Sequence, residues 1–146
     1  MLNNINNDYY EYYDQKHRYP QDSLSVLIVD DNSDIAALIK RALTRAGLKV
    51  TAFTDPTRAL EYFRVNCKDC SLIISDIFMP HMNGYELVKM AKEIDKNVKV
   101  ILMSSLGIEG KEFHNVLPEV IIDGFLQKPF STRKLYDMME KAVVTS

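Results

Sequence analysis

Residues 25–47, "SVLIVDDNSDIAALIKRALTRAG", hold the pattern that decides the fold. Ser25–Val29 is a short apolar run of strand length. Beyond Asn32 and Ser33, Ile35, Leu38, Ile39, Ala42, Leu43 and Ala46 recur at helical spacing on one face, and Gly47 stands where a C-terminal cap belongs. A strand thus leads directly into a helix. Between them stand Asp30 and Asp31, two carboxylates at the end of an apolar stem. Ionised groups beside a low-dielectric core are costly without a counter-charge, and two neighbours of one sign repel, so this turn calls for a cation. Asn32 or Ser33 can cap the helix, so the aspartates are not needed for that.

The same alternation continues along the chain. "LKVTAF" (48–53) predicts a second strand, and Asp55-Pro56 a capped start for the helix in "TRALEYFRV". "SLIIS" (71–75) predicts strand three, and Leu87, Met90, Ala91 and Ile94 stripe a third helix. "VKVILMS" (98–104) and "VIIDGFL" (120–126) predict strands four and five. Leu135, Met138, Met139 and Ala142 stripe a last helix that Ser131 can cap. The segment "LGIEGKEFHNVLP" (106–118) holds two glycines and ends in proline, a poor helix and the part expected to move. The strands are near-continuous apolar runs, the mark of a parallel sheet with helices on both faces, so the expected fold is a doubly wound α/β domain.

Length and composition agree with one domain. The chain has 146 residues, 47% of them hydrophobic and 26% charged. Its net charge of −2 argues against a dedicated nucleic-acid binder. No apolar run is long enough for a membrane span and the N-terminus lacks an apolar leader, so a cytoplasmic location and no membrane insertion are expected. Cys67 and Cys70 form a single C-x-x-C, read as two reduced thiols between a helix and a strand, since a closed zinc site needs four ligands. Residues 1–22 differ in kind: Asn-rich, then holding five of the eight tyrosines, with no sustained period. They are read as a polar extension, and residues 23–146 as the folded domain.

In doubly wound sheets ligands bind outside the carboxyl ends of the strands. Strand one ends in Asp30-Asp31, strand three in Asp76, strand four in Ser104-Ser105, and strand five leads to Lys128-Pro129. Oxygen ligands of this kind suit Mg²⁺, which takes one or two carboxylates plus water and phosphate oxygens. A carboxylate can also act as a nucleophile toward phosphorus, with metal and lysine neutralising the transferred group, and Asp76 fits that role.

Taken together, "VDD" after strand one, "SDIFMPHMNG" after strand three, Ser104 after strand four and "KPF" after strand five resemble the response-regulator receiver domains of two-component signalling, of the stand-alone, chemotaxis-regulator-like kind. The resemblance covers residues 24 to about 144. It implies a flavodoxin-like (βα)5 fold with strand order 2-1-3-4-5. It implies a signalling domain, not an enzyme beyond its own phosphorylation and slow dephosphorylation, in which Asp76 accepts a phosphoryl group from a sensor histidine kinase or a histidine phosphotransfer protein. Asp31, Asp76 and the backbone carbonyl of Phe78 would bind Mg²⁺, with Asp30 in support through water. Ser104 would be the switch hydroxyl, Lys128 the ammonium that pairs with the phosphoryl group, and Phe125 the aromatic switch. The Lys128-Pro129 peptide would be cis. A downstream protein would meet residues 107–143, and DNA would not be contacted directly, because the chain ends soon after the last helix. Gly84 is expected to supply positive φ after the Asp76 loop.

Ser104 stands for the family's common threonine and Phe125 for its common tyrosine; the hydroxyl and the ring are kept. Phe78 and Leu106 flank the path by which water would reach a phosphorylated Asp76, and two apolar groups there predict slow hydrolysis. A haloacid-dehalogenase-like phosphatase would want a second acid where Phe78 stands. A receiver-like interaction or dimerisation module working without phosphorylation would not need the intact acidic set. His81 and His114 are read as surface residues.

Overall fold

The protein is described here by a computed structural model over residues 24–105 and 122–144. In chain order the elements are β1 (Ser25–Val29), α1 (Ser33–Arg45), β2 (Lys49–Phe53), α2 (Pro56–Asn66), β3 (Leu72–Asp76), α3 (Gly84–Ile94), β4 (Lys99–Ser104), β5 (Gly124–Gln127) and α4 (Thr132–Val144). The strands form one parallel sheet in the order β2-β1-β3-β4-β5, as expected. The segment expected to be a poor, moving helix lies outside the described residues.

Helix boundaries follow local chemistry. The Asn32 side chain accepts hydrogen bonds from the Asp34 and Ile35 N–H groups at 3.0 and 3.2 Å and starts α1. The helix stops where Leu48 N–H donates to Leu43 C=O (3.1 Å) and Gly47 N–H to Thr44 C=O (3.0 Å), with Gly47 at φ 92°. Only glycine takes that left-handed position without penalty. Asp55 caps α2 with Pro56 in its first turn, Asn83 caps α3, and Ser131 caps α4 through the Lys134 N–H at 3.1 Å.

Because side chains alternate along a strand, the apolar runs fill two cores. Val26, Ile28, Leu72, Ile74, Ile101 and Met103 pack under α1 and α4; Leu27, Val29, Ile73, Val100 and Leu102 pack under α2 and α3. In the first core the buried Tyr136 of α4 donates its hydroxyl to the Ala42 carbonyl of α1 at 2.7 Å, tying the two helices together.

Three sequence expectations need correction. Leu38, placed on the buried stripe of α1, is 59% exposed: it sits at the edge of that stripe and lines a surface cleft with Ile35 and Ile39. Of the strand expected over 120–126, residues 120 and 121 lie outside the described residues and β5 spans Gly124–Gln127; just before it Asp123 bonds to Val100 twice, its N–H donating to the Val100 C=O and its Oδ2 accepting from the Val100 N–H, both at 2.8 Å. Gly84 does not have positive φ. It begins α3 so close beneath Asp76 that a Cβ would collide with the Asp76 carbonyl oxygen and stand 2.9 Å from Ile77 Cα. The glycine serves close packing, not a left-handed turn.

Candidate functional site

Each strand of the sheet delivers its last residues to one edge, and the polar residues named from the sequence meet there. Asp30 follows β1, Asp76 closes β3, Ser104 closes β4, and Lys128 follows β5. Pairing in register fixes their heights: Asp76 stands beside Met103, and Ser104 beside Gln127.

The carboxylates of Asp30, Asp31 and Asp76 present oxygens that all lie within 4.8 Å of one another. Asp30 is fully buried, Asp76 nearly so, and Asp31 is exposed. The Lys128 ammonium is the counter-charge: Nζ lies 2.6 Å from Asp30 Oδ2 and 3.5 Å from Asp76 Oδ2. Backbone donors fix the remaining oxygens, Asn32 N–H to Asp30 Oδ1 at 2.9 Å and Ile77 N–H to Asp76 Oδ1 at 3.0 Å. Asp76 Oδ2 is thereby the oxygen turned toward the cluster.

Burial pushes the Asp76 carboxyl up to about 6; the Lys128 ammonium pulls it back, and the charges of Asp30 and Asp31 push it further up. A single lysine between three carboxylates leaves the cluster with a net negative charge. Such an all-oxygen donor set, with no nitrogen or sulfur, fits a hard divalent cation of the Mg²⁺ type. Phe78, two residues past Asp76, is 47% exposed at the mouth of the site. Leu106, expected to flank it, lies outside the described residues.

Ser104 and Phe125 share one face of the sheet. Phe125 pairs with Leu102, and Ser104 lies two residues beyond Leu102, so both side chains project toward the α2/α3 side. Ser104 is fully buried, while Phe125 is half-buried against the second core. The Lys128-Pro129 peptide is cis, as the resemblance implied. His81 is exposed with φ 71°, a left-handed conformation that the sequence reading did not foresee.

The two cysteines play no part in this cluster. Cys67 caps the end of α2 and Cys70 precedes β3; both thiols are free, and burial pushes Cys70 up to about 11. The sequence reading also missed the apolar cleft beside the cluster, lined by Ile35, Leu38, Ile39, Pro129 and Phe130, with Ser105 and Lys128 at its polar end. Its signal was the apolar pair Pro129-Phe130 following Lys128, together with a helix stripe one residue too wide. Among the described residues no helix is long and apolar enough to cross a membrane.

A family model for the response regulator receiver domain matches residues 26–140. The response regulator receiver protein CpdR of Brucella abortus is 31% identical over 83% of this chain and 98% of its own length. The chemotaxis protein CheY of Thermotoga maritima is 32% identical over 80% of this chain and 94% of its own. A crystal structure of the CheX–CheY–BeF3–Mg²⁺ complex from Borrelia burgdorferi aligns with a TM-score of 0.71 at 27% identity, covering 80% of this chain and 87% of that one. With its strand order, its acidic cluster and these similarities, the chain belongs to the response-regulator receiver domain family of two-component systems.

Proposed function

We propose that this receiver domain accepts a phosphoryl group on Asp76 from a phosphohistidine of a sensor histidine kinase or a histidine phosphotransfer protein. The observation that carries the reading is the meeting of Asp30, Asp31 and Asp76 within 4.8 Å, with Lys128 Nζ reaching both buried carboxylates. Asp76 Oδ2 attacks phosphorus, the P–N bond of the donor breaks, and its electron pair leaves with the imidazole nitrogen. With a pKa of about 6, Asp76 is largely ionised at neutral pH and so available as the nucleophile.

Asp30, Asp31, Asp76 and the Phe78 carbonyl would hold Mg²⁺, a proposal supported by the all-oxygen donor set and by the Mg²⁺ and BeF3 named with the Borrelia relative. When bound, Mg²⁺ supplies neutralisation of phosphoryl charge. Lys128, already poised beside Asp76, pairs with an oxygen of the incoming group, and the Ser104 hydroxyl donates to another. Ser104 and Phe125 lie on one face of the sheet, so drawing Ser104 toward the phosphoryl group frees room into which the Phe125 ring can turn. The readout is a changed protein-binding face over residues 107–143, of which 107–121 lie outside the described residues. The protein then acts in the cytoplasm through protein contacts and without touching DNA, in keeping with its net charge of −2. Signalling modules of this kind are not turnover enzymes; the only chemistry proposed is self-phosphorylation and slow hydrolysis.

Intact-mass spectrometry after incubation with acetyl phosphate tests this. A single phosphoryl adduct that requires Mg²⁺ and is absent from Asp76→Asn is expected. An adduct that forms equally on Asp76→Asn, or none on the folded parent, contradicts it.

A further inference from the structure

Cys67 and Cys70 are the chain's two cysteines, and the phosphoacceptor reading uses neither. Cys67 opens a single 3₁₀ turn over Cys67–Asp69, and the Cys70 N–H closes it by donating to the Cys67 carbonyl at 3.3 Å. We propose that this dithiol is a modification site, converted by a small-molecule disulfide of the glutathione class into an intramolecular Cys67–Cys70 disulfide. The proposal goes beyond the phosphoacceptor reading and does not depend on it.

Three observations carry it. The first is spacing: a turn closed by a hydrogen bond between residues three apart holds its end Cα atoms within about 7 Å, and a disulfide spans about 4.4–6.8 Å between Cα atoms. The second is direction. Side chains three apart in a 3₁₀ turn eclipse one another, and both cysteines pack against the same core, beneath α2 and α3. The third is unequal access. Cys67 is partly exposed, whereas Cys70 is 6% exposed and turns its Sγ–H to the Leu72 carbonyl at 3.5 Å. Burial pushes the Cys70 thiol up to about 11, with a smaller push from the neighbouring Cys67, so Cys70 waits as the thiol while Cys67 meets the reagent. The Cys67 thiolate attacks one sulfur of the small disulfide, whose S–S bond breaks and releases one thiolate. Cys70 then loses its proton, and its sulfur displaces the second small thiolate from Cys67 Sγ. Two cysteines are oxidised, one small disulfide is reduced, and the two protons end on the released thiols. The bridge pins the end of α2 to the start of β3, about 20 Å along that strand from Asp76.

Oxidised glutathione added to the folded, full-length protein, followed by alkylation of free thiols and intact-mass spectrometry, tests the proposal. The parent is expected to lose the mass of two hydrogens and take up no alkyl group, and dithiothreitol to restore both thiols. Cys70→Ala is expected to stop with one glutathione on Cys67. Cys67→Ala is expected to react at least about tenfold more slowly than the parent, because its remaining thiol is buried. A parent that keeps two alkylatable thiols, retains a glutathione or becomes joined to a second chain overturns the proposal. Cys67→Ala reacting as fast as the parent overturns it too.

Discussion

Removing the charge of Asp76 should stabilise the metal-free protein. Asp76→Asn keeps the size of the side chain and an oxygen to accept the Ile77 N–H, and Lys128 retains its shorter contact to Asp30 at 2.6 Å. What is lost is a carboxylate whose pKa burial raises from 3.8 to about 6. At about 1.4 kcal/mol per tenfold change, that displacement is a penalty on the order of 3 kcal/mol, and solvent entering past Asp31 screens it to about 1–2 kcal/mol. The sign is fixed by linkage: between the unfolded and folded pKa values the folded state binds more protons, so stability falls as pH rises from about 4 to about 6 and stays lowered above that. Urea unfolding of parent and Asp76→Asn in EDTA should therefore give curves that nearly coincide near pH 4 and separate by about 1–2 kcal/mol at pH 7, or roughly 4–8 °C in Tm. A variant no more stable than the parent at pH 7, or a gap that does not change with pH, would refute the reasoning.

Gly84→Ala gains helix propensity but drives a methyl group into the Asp76–Ile77 backbone, so the urea midpoint should fall by an equivalent of about 1–3 kcal/mol. Tyr136→Phe removes the hydroxyl that joins α4 to the Ala42 carbonyl, which keeps its bond from Ala46 N–H; a loss of about 0.5–1.5 kcal/mol is expected in the same assay. Mg²⁺ at a hundred times its Kd should raise the stability of the parent by about 2.7 kcal/mol, EDTA should reverse the gain, and Asp31→Asn should lose most of it. Phe78→Asn, which replaces a half-exposed ring at the mouth of the site with a group able to orient water, should speed loss of the phosphoryl label from the phosphorylated protein; an unchanged rate counts against steric shielding.

The architecture was legible because each strand is apolar on both faces and each described helix has its own cap. Asn32, Asp55, Asn83 and Ser131 start helices through their side chains, and Gly47 ends one by adopting φ 92°. The site was legible for a related reason: a parallel sheet sends every strand's final residue to the same edge, so Asp30, Asp76, Ser104 and Lys128 could be gathered from sequence position alone. Features set by tertiary contact were not. The role of Gly84 depends on how closely α3 approaches the end of β3, which no local pattern records. The two bonds between Asp123 and Val100, just before β5, depend on β4 lying alongside. Leu38 sits at the edge of the helical stripe, where the pattern cannot tell core from surface, and it lines a cleft with Pro129-Phe130 instead of packing in the core.

Under the proposed function Asp76, and not another carboxylate of the cluster, carries the phosphoryl group. Borohydride reduction of the phosphorylated full-length protein converts an aspartyl phosphate to homoserine, and peptide sequencing by tandem mass spectrometry then reads the position. Homoserine at residue 76 alone, with Asp30 and Asp31 unaltered, is the predicted result. Homoserine at residue 30 or 31, or no reducible acyl phosphate on a protein that has gained phosphate, would contradict it.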